Sequence, residues 1–189
     1  MKHVVTKGIG AALLIGASTP ALAHTGGLVG GFSSGIAHPL LGLDHLLAMV
    51  AVGIWAAVQS QRSAWQAPAA FVAFLAAGAL VGGAGVALPL VEPGILASVV
   101  LLGLMIAFAR VLPAAAGLAA IGVFGLLHGH AHGVEAAGAF SAYMAGFLAA
   151  SAALHLAGYG VGRALSLTRS GLAASGLAVM TAGLVLAGG

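Results

Sequence analysis

Long apolar stretches joined by short polar connections dominate this chain and leave no room for a water-exposed domain. Six of them follow the N-terminal segment, over residues 38–58, 67–88, 94–112, 114–130, 136–158 and 170–188. A membrane-spanning helix needs about 20 apolar residues, so each stretch is close to the length of one crossing. Only 5% of the 189 residues are charged, whereas soluble domains carry about 25%. Because the stretches lack the alternation of β-barrel strands, the pattern predicts an all-α membrane protein, a six-transmembrane-helix bundle.

The first 23 residues have the features of an export signal. Lys2 and Lys7 provide positive charge, an apolar segment follows, and an A-x-A pattern ends at Ala23. This order is typical of a cleaved secretory signal peptide, so we expect a signal peptide over 1–23 and a transmembrane domain over 24–189. The alternative is an uncleaved first span, for which the apolar segment is short. Cleavage would place the mature N-terminus in the periplasm.

The charges in the connections predict the orientation of the bundle. All basic residues after position 23 follow the first, third or fifth stretch: Arg62, Arg110, Arg163 and Arg169. The second and fourth stretches are instead followed by Glu92 and Glu135. Since cytoplasmic loops collect Lys and Arg, we expect a multi-pass protein of the bacterial inner membrane with a periplasmic N-terminus. Positive charge this sparse excludes a nucleic-acid interface.

The first stretch begins with ionisable side chains, which a lipid-facing helix would not carry. Its sequence HPLLGLDH contains His38, Asp44 and His45. Pro39 suits the first turn of a helix, so His38 is expected near the N-cap. In a continuous helix, His38 and His45 would lie about 10 Å apart along the axis, which is too far for one ion. We therefore expect a break at Gly42, of the kind found in transporter binding sites.

The fourth stretch ends in a second group of ionisable residues, LLHGHAHGVEA. In a helix, His128, His132 and Glu135 would share one face, because they are separated by four and three residues. Two histidines at this spacing with a nearby carboxylate form the usual local geometry for a divalent transition metal. His130 points elsewhere in this helix, and Glu92 lies in an outer loop.

Structural roles are the alternative to functional ones for these polar residues. Asp44 and His45 could form a hydrogen bond between helices, which contributes about 1 kcal/mol in a membrane bundle. A charged Asp in the membrane costs about 3 kcal/mol on insertion scales. One such bond would not offset this cost, so a metal or proton pathway is favoured. His155 is expected to be a hydrogen-bonded core or interface residue near the inner side, and Met49 a core residue.

The residue types limit the ligand and the source of energy. Cysteine is absent, and imidazole with carboxylate favours Ni, Co, Zn, Fe or Mn over Cu(I), with no ranking among nickel, cobalt and zinc. Both lysines lie in the predicted signal peptide, so the mature chain lacks a P-loop lysine and a built-in ATPase. Transport would depend on a gradient, on the membrane potential or on a partner, and no prosthetic group is predicted.

The string HPLLGLDHLLAMVAVGIWA resembles the signature of the HupE/UreJ family, bacterial membrane proteins associated with nickel supply to hydrogenase and urease. HGHAHGVEAAGAF resembles the second motif of this family, and EPGILASVVLLG its third conserved region. The resemblance covers essentially the whole chain and implies a nickel permease. The positions that match the family's motifs are His38, Asp44, His45, Glu92, His128, His132 and Glu135. Leu127, where the family often has Phe, and the additional His130 are departures, and some members are associated with cobalt.

The sequence and the resemblance together predict a secondary permease, not an enzyme, that imports Ni²⁺ from the periplasm and supplies metalloenzyme maturation. His38, Asp44 and His45 would form the central site. The second group would capture the ion at the mouth or complete its coordination, and Glu92 would assist with charge. The alternatives are a permease for cobalt or another divalent metal, a zinc-dependent intramembrane hydrolase, and a sensor or chaperone subunit. A homo-oligomer or a metallochaperone partner is compatible with each of them.

Overall fold

The computed structural model describes residues 31–109, 111–166, 168 and 170–189, and the secondary structure of these residues is entirely helical. Seven helices follow one another: α1 (Phe32–Leu41), α2 (Leu43–Ala57), α3 (Gln66–Gly83), α4 (Val91–Ala107), α5 (Ala114–Val134), α6 (Phe140–Leu165) and α7 (Gly171–Gly188). The predicted signal peptide, Arg110 and Arg169 lie outside the described residues.

Four helices are long and apolar enough to cross a membrane, namely α3, α5, α6 and α7. α1 and α2 together provide a fifth crossing if they are taken as one broken span. α4 is apolar but has only 17 residues, which is the lower limit of length for a span. The prediction of an all-α membrane protein is therefore confirmed, whereas the count of six spans stays a prediction.

The break expected in the first span occurs at Gly42. α1 and α2 are bent there by 84°, and Gly42 has an extended backbone with φ −80° and ψ 108°. Its amide donates to the carbonyl of His38, and its carbonyl accepts from the amide of Leu46. The one residue between the two helices therefore completes a backbone hydrogen bond at each of the facing helix ends.

The expectation that His38 lies near an N-cap is wrong. α1 begins at Phe32, and Pro39 lies inside it, two residues before the helix ends. The cause is tertiary packing. Gly35 approaches α6 so closely that a Cβ atom would overlap the carbonyl oxygen of Tyr143, and this contact extends α1 upstream of the point where Pro39 alone would start a helix.

Glycine allows the helices to pack with their backbones in contact. A Cβ at Gly78 of α3 would overlap the Leu126 carbonyl of α5, and one at Gly129 would overlap the Leu75 carbonyl. The small-xxx-small motif at Gly78–Gly82 therefore forms a helix contact, as expected of such motifs in membranes. Close packing of the same kind joins α1 with α6, α2 with α6 and α4 with α7, through Gly35, Gly146, Gly53, Gly158, Gly103 and Gly176.

Candidate metal centre

Three imidazoles from three helices meet at one end of the bundle. A ring nitrogen from each of His38 in α1, His45 in α2 and His132 in α5 lies within 4.8 Å of the other two. The bend at Gly42 makes this possible, because a straight helix would separate His38 from His45 by about 10 Å along its axis. The ring centroid of His132 lies 4.7 Å from that of His38 and 4.6 Å from that of His45.

A fourth imidazole adjoins these three. The ring centroid of His128 lies 5.0 Å from that of His45. α5 stays helical through Gly129 and Gly133 because both glycines pack against α3. The predicted i, i+4 face of His128 and His132 is thereby formed, and both side chains are completely buried. We call the four residues the histidine cluster: His38, His45, His128 and His132.

Asp44 determines which nitrogen of His45 is free. A carboxylate oxygen of Asp44 accepts hydrogen bonds from the His45 amide and from its Nδ1, both at 2.8 Å. Because a carboxylate only accepts, Nδ1 carries the proton and Nε2 carries a lone pair. This Nε2 is buried and has no hydrogen-bond partner among the described residues. A carboxylate behind an imidazole is the arrangement that orients histidine ligands in metal sites.

His128 and His132 also present buried nitrogens to the cluster. The Nδ1 of His128 donates to the carbonyl of Phe124 at 2.9 Å, so its Nε2 carries a lone pair. The Nδ1 of His132 lies 3.3 Å from the hydroxyl of Tyr143. In the described part of the chain, neither Nε2 has a partner. Each unsatisfied buried nitrogen costs about 1–3 kcal/mol. Imidazole nitrogens are suitable ligands for a divalent transition metal, which would satisfy them.

Glu135 lies at the outer edge of the cluster. It is the C-terminal cap of α5, it is half exposed, and it accepts a hydrogen bond from the Nε2 of His38 at 2.9 Å. This bond from His38 lowers the pKa of Glu135 below its usual value, and the partial burial of the carboxyl group opposes the shift. The carboxylate therefore stays charged at neutral pH and leaves the Nδ1 of His38 available for a ligand.

Aromatic side chains of α6 contact His132, and little in the amino-acid sequence indicates that they belong to the site. Phe147 stacks on the His132 ring with centroids 4.7 Å apart and planes 13° apart. Tyr143 is almost completely buried and contacts the same imidazole through its hydroxyl. The only signal for Tyr143 was a hydroxyl within an apolar stretch, and Phe147 has the appearance of any core residue.

Other residues singled out in the sequence lie apart from the cluster. The expectation that Glu92 lies in a loop is wrong, because α4 begins at Val91 and Glu92 is exposed in its first turn. Glu92 has no hydrogen bond or ion pair to any described side chain. His130 points away, as expected, and its Nε2 donates to the carbonyl of Val86 at 2.7 Å. Met49 is fully buried in the apolar core. His155 is buried, but the expectation that it is hydrogen-bonded is wrong, since neither ring nitrogen has a partner among the described residues.

Comparison with known proteins gives a consistent assignment. The model of a family described as "HupE / UreJ protein" matches residues 12–186. Protein HupE of Rhizobium leguminosarum bv. viciae is 44% identical over 141 residues, which make up 74% of this chain and 74% of that relative. No solved structure matches the chain. The chain therefore belongs to the HupE/UreJ family, whose members are membrane transport or accessory proteins and not enzymes.

Proposed function

We propose that this protein is a secondary permease that imports Ni²⁺ from the periplasm across the inner membrane and supplies metalloenzymes such as hydrogenase or urease. The observation that carries the proposal is a group of buried ring nitrogens on His45, His128 and His132 that have no hydrogen-bond partner among the described residues. Imidazole nitrogens suit nickel, and the chain contains no thiolate that would favour softer ions. Membership of a family of membrane transport or accessory proteins supports the same reading.

The residues would act in order along the path of the ion. Glu92, exposed in the first turn of α4, would attract the cation, and Glu135 would bind it at the edge of the cluster. His38, His45 and His132 would then coordinate it, with His128 as the next ligand inward. Asp44 would hold His45 in the tautomer that binds metal. Several ligands of moderate strength allow an ion both to enter and to leave.

The proposed direction of transport rests on the distribution of charge. Arg62 follows the C-terminal end of α2, and Arg163 lies in the last turn of α6. His45 and Tyr143 lie at the opposite ends of the same two helices. Under the positive-inside rule, this distribution of charge supports a periplasmic position for the cluster. A divalent cation that enters across 100 mV, inside negative, gains about 4.6 kcal/mol, so the membrane potential alone could drive accumulation.

Cobalt is the main alternative, because the same nitrogen and carboxylate ligands bind Co²⁺. A cobalt permease would have the same architecture and would differ only in the competition between ions. The zinc hydrolase considered from the sequence is less favoured, because the family consists of transport or accessory proteins.

The test is accumulation of radioactive nickel, supplied at nanomolar concentration, by cells that express the protein. Asp44→Ala and His45→Ala variants at equal membrane levels should reduce accumulation to the background of cells without the protein. The matched control is His130→Ala, which removes a buried imidazole of α5 outside the cluster and should retain at least half of the uptake. Excess cobalt and excess zinc serve as competitors.

The outcomes separate the candidate functions. Nickel uptake that requires Asp44 and His45, and that persists in excess cobalt, supports the nickel permease. Nickel uptake that requires the same residues, but that excess cobalt abolishes, supports the cobalt permease. A protein that is present in the membrane but accumulates neither ion would refute a permease for both.

A further inference from the structure

His155 is buried without an evident structural reason. Its side chain is 1% exposed, and within the described residues both of its ring nitrogens lack a hydrogen-bond partner. The other buried polar residue nearby on α6, Ser151, donates its hydroxyl to the Phe147 carbonyl at 2.7 Å. An imidazole with two unsatisfied nitrogens is costly in an apolar interior. In a membrane segment such a residue usually has a function.

His155 lies on the same face of α6 as the side chains that contact the histidine cluster. Tyr143, Phe147, Ser151 and His155 are separated by four residues each, so they form one buried stripe on the helix. Tyr143 and Phe147 contact His132. His155 lies two turns farther along α6, about 12 Å from Phe147 along the axis, toward the end that carries Arg163.

One aromatic ring separates His155 from the cluster. The ring centroid of Phe71 lies 5.6 Å from that of His128 and 5.1 Å from that of His155. Phe71 is itself completely buried. His128 and His155 therefore both contact the ring of Phe71, and no other aromatic side chain of the described residues contacts both of them.

An open groove lies on the other side of His155. It has a volume of about 750 Å³, and its lining is mostly apolar and includes His155, Tyr159 and Gln61. Gln61 belongs to the connection between α2 and α3, next to Arg62. His155 thus lies between the histidine cluster and the end of the bundle that carries Arg62 and Arg163.

We propose that His155 is an inner ligand for the transported divalent cation, which binds it after leaving His128 and before release toward the end of the bundle that carries Arg62 and Arg163. This inference rests on the proposed permease function and adds a second binding position to it. A single imidazole holds a divalent ion less tightly than a cluster does, so His155 would bind the ion transiently and favour its release inward.

The first test detects metal at this position directly. Since the chain has no cysteine, His155→Cys introduces a single thiol, and binding of Co²⁺ to it would give a cobalt–thiolate charge-transfer absorption. Purified protein titrated with Co²⁺ beyond one equivalent should develop this absorption. The matched control is Ala157→Cys, which places a thiol at an exposed position of the same helix and should develop none. No absorption from the His155→Cys protein, or equal absorption from both, would overturn the proposal.

The second test measures transport of Ni²⁺ into proteoliposomes. His155→Ala should lower the initial rate at least tenfold, while one equivalent of Co²⁺ still binds at the cluster with unchanged affinity. Ser151→Ala, one turn away, should transport at the parental rate. If the parent transports and His155→Ala matches it, the inference fails and the permease stands. If the parent protein does not transport, the proposed function fails. His155→Gln, which retains a polar side chain, replaces His155→Ala if the latter is not recovered folded.

Discussion

At the scale of single residues, Asp44 controls the protonation of an imidazole in the histidine cluster. Its carboxylate fixes the proton of His45 on Nδ1 and so directs the lone pair of Nε2 toward the other imidazoles. The negative charge also makes the imidazole a stronger electron donor to a metal. The same contact shows why the costly Asp is tolerated here, since two hydrogen bonds from His45 satisfy it.

Replacing Asp44 by Asn should weaken metal binding without removing a ligand. We expect Asp44→Asn to lower the affinity for Co²⁺ by about 10- to 100-fold, because carboxylates that orient histidine ligands have effects of this size. Calorimetric titration of purified protein would measure the change. His130→Gln, whose ring bonds to the Val86 carbonyl instead of facing the cluster, should stay within about twofold of the parent. An unchanged affinity for Asp44→Asn would mean that His45 needs no such orientation.

At the scale of helices, glycine sets the distance between α3 and α5. Gly125, Gly129 and Gly133 face the carbonyls of Phe71, Leu75 and Ala79, and any Cβ atom on them would overlap or press on that backbone. Van der Waals contact of this kind is the main source of helix association in lipid, where no hydrophobic driving force acts between helices. The cluster depends on it, because the histidines of α5 are held by the same helix.

A single methyl group at this contact should therefore destabilise the bundle. We expect Gly129→Ala to destabilise the protein by about 1–3 kcal/mol, the usual range for overpacking, with a lower midpoint of thermal unfolding in detergent. Gly160→Ala makes the same change in α6, where a Cβ atom would have no neighbour within 4 Å in the described part of the chain. It should leave the midpoint unchanged or raise it, because Ala favours a helix over Gly. Equal effects of the two substitutions would contradict the close packing of α3 and α5.

At the scale of the whole molecule, the two ends of the bundle have different chemistry. One end holds the histidine cluster and Glu135, while the other holds Arg62 and Arg163. This polarity agrees with the proposed import, in which an ion captured at the first end would leave at the second.

The direction can be tested with two single cysteines in a chain that otherwise has none. Ala139→Cys lies beyond α5 near the cluster, and Ser60→Cys lies in the connection after α2, both at exposed positions. A membrane-impermeant maleimide should label Ala139→Cys in intact spheroplasts and Ser60→Cys only after lysis. Each variant controls for the other, and the reverse pattern would place the cluster in the cytoplasm.

The amino-acid sequence predicts much of this arrangement, but only where the determinants are local. The helical periodicity brings His128 and His132 together, and the apolar stretches predict where the helices lie, although their bounds differ by up to seven residues, as at the C-terminal end of α6. The approach of His38 to His132 could not be predicted, because it depends on how α1 packs against α6 through Gly35. The unpartnered state of His155 was missed for a similar reason, since hydrogen-bond partners depend on tertiary contacts.

The sequence HGHAHG of α5 has a consequence for how this protein can evolve. Its glycines face α3, and His128 and His132 face the other imidazoles of the cluster. The same six residues therefore provide both the contact with α3 and two ligands of the cluster. A residue inserted or deleted earlier in α5 would rotate this segment by about 100° about the helix axis. Imidazoles would then face the backbone of α3, or glycines would face the cluster. A single substitution in this segment affects one contact, whereas a change in length would remove both the contact with α3 and the contact with the cluster. Descendants of this gene should therefore keep the length of this segment.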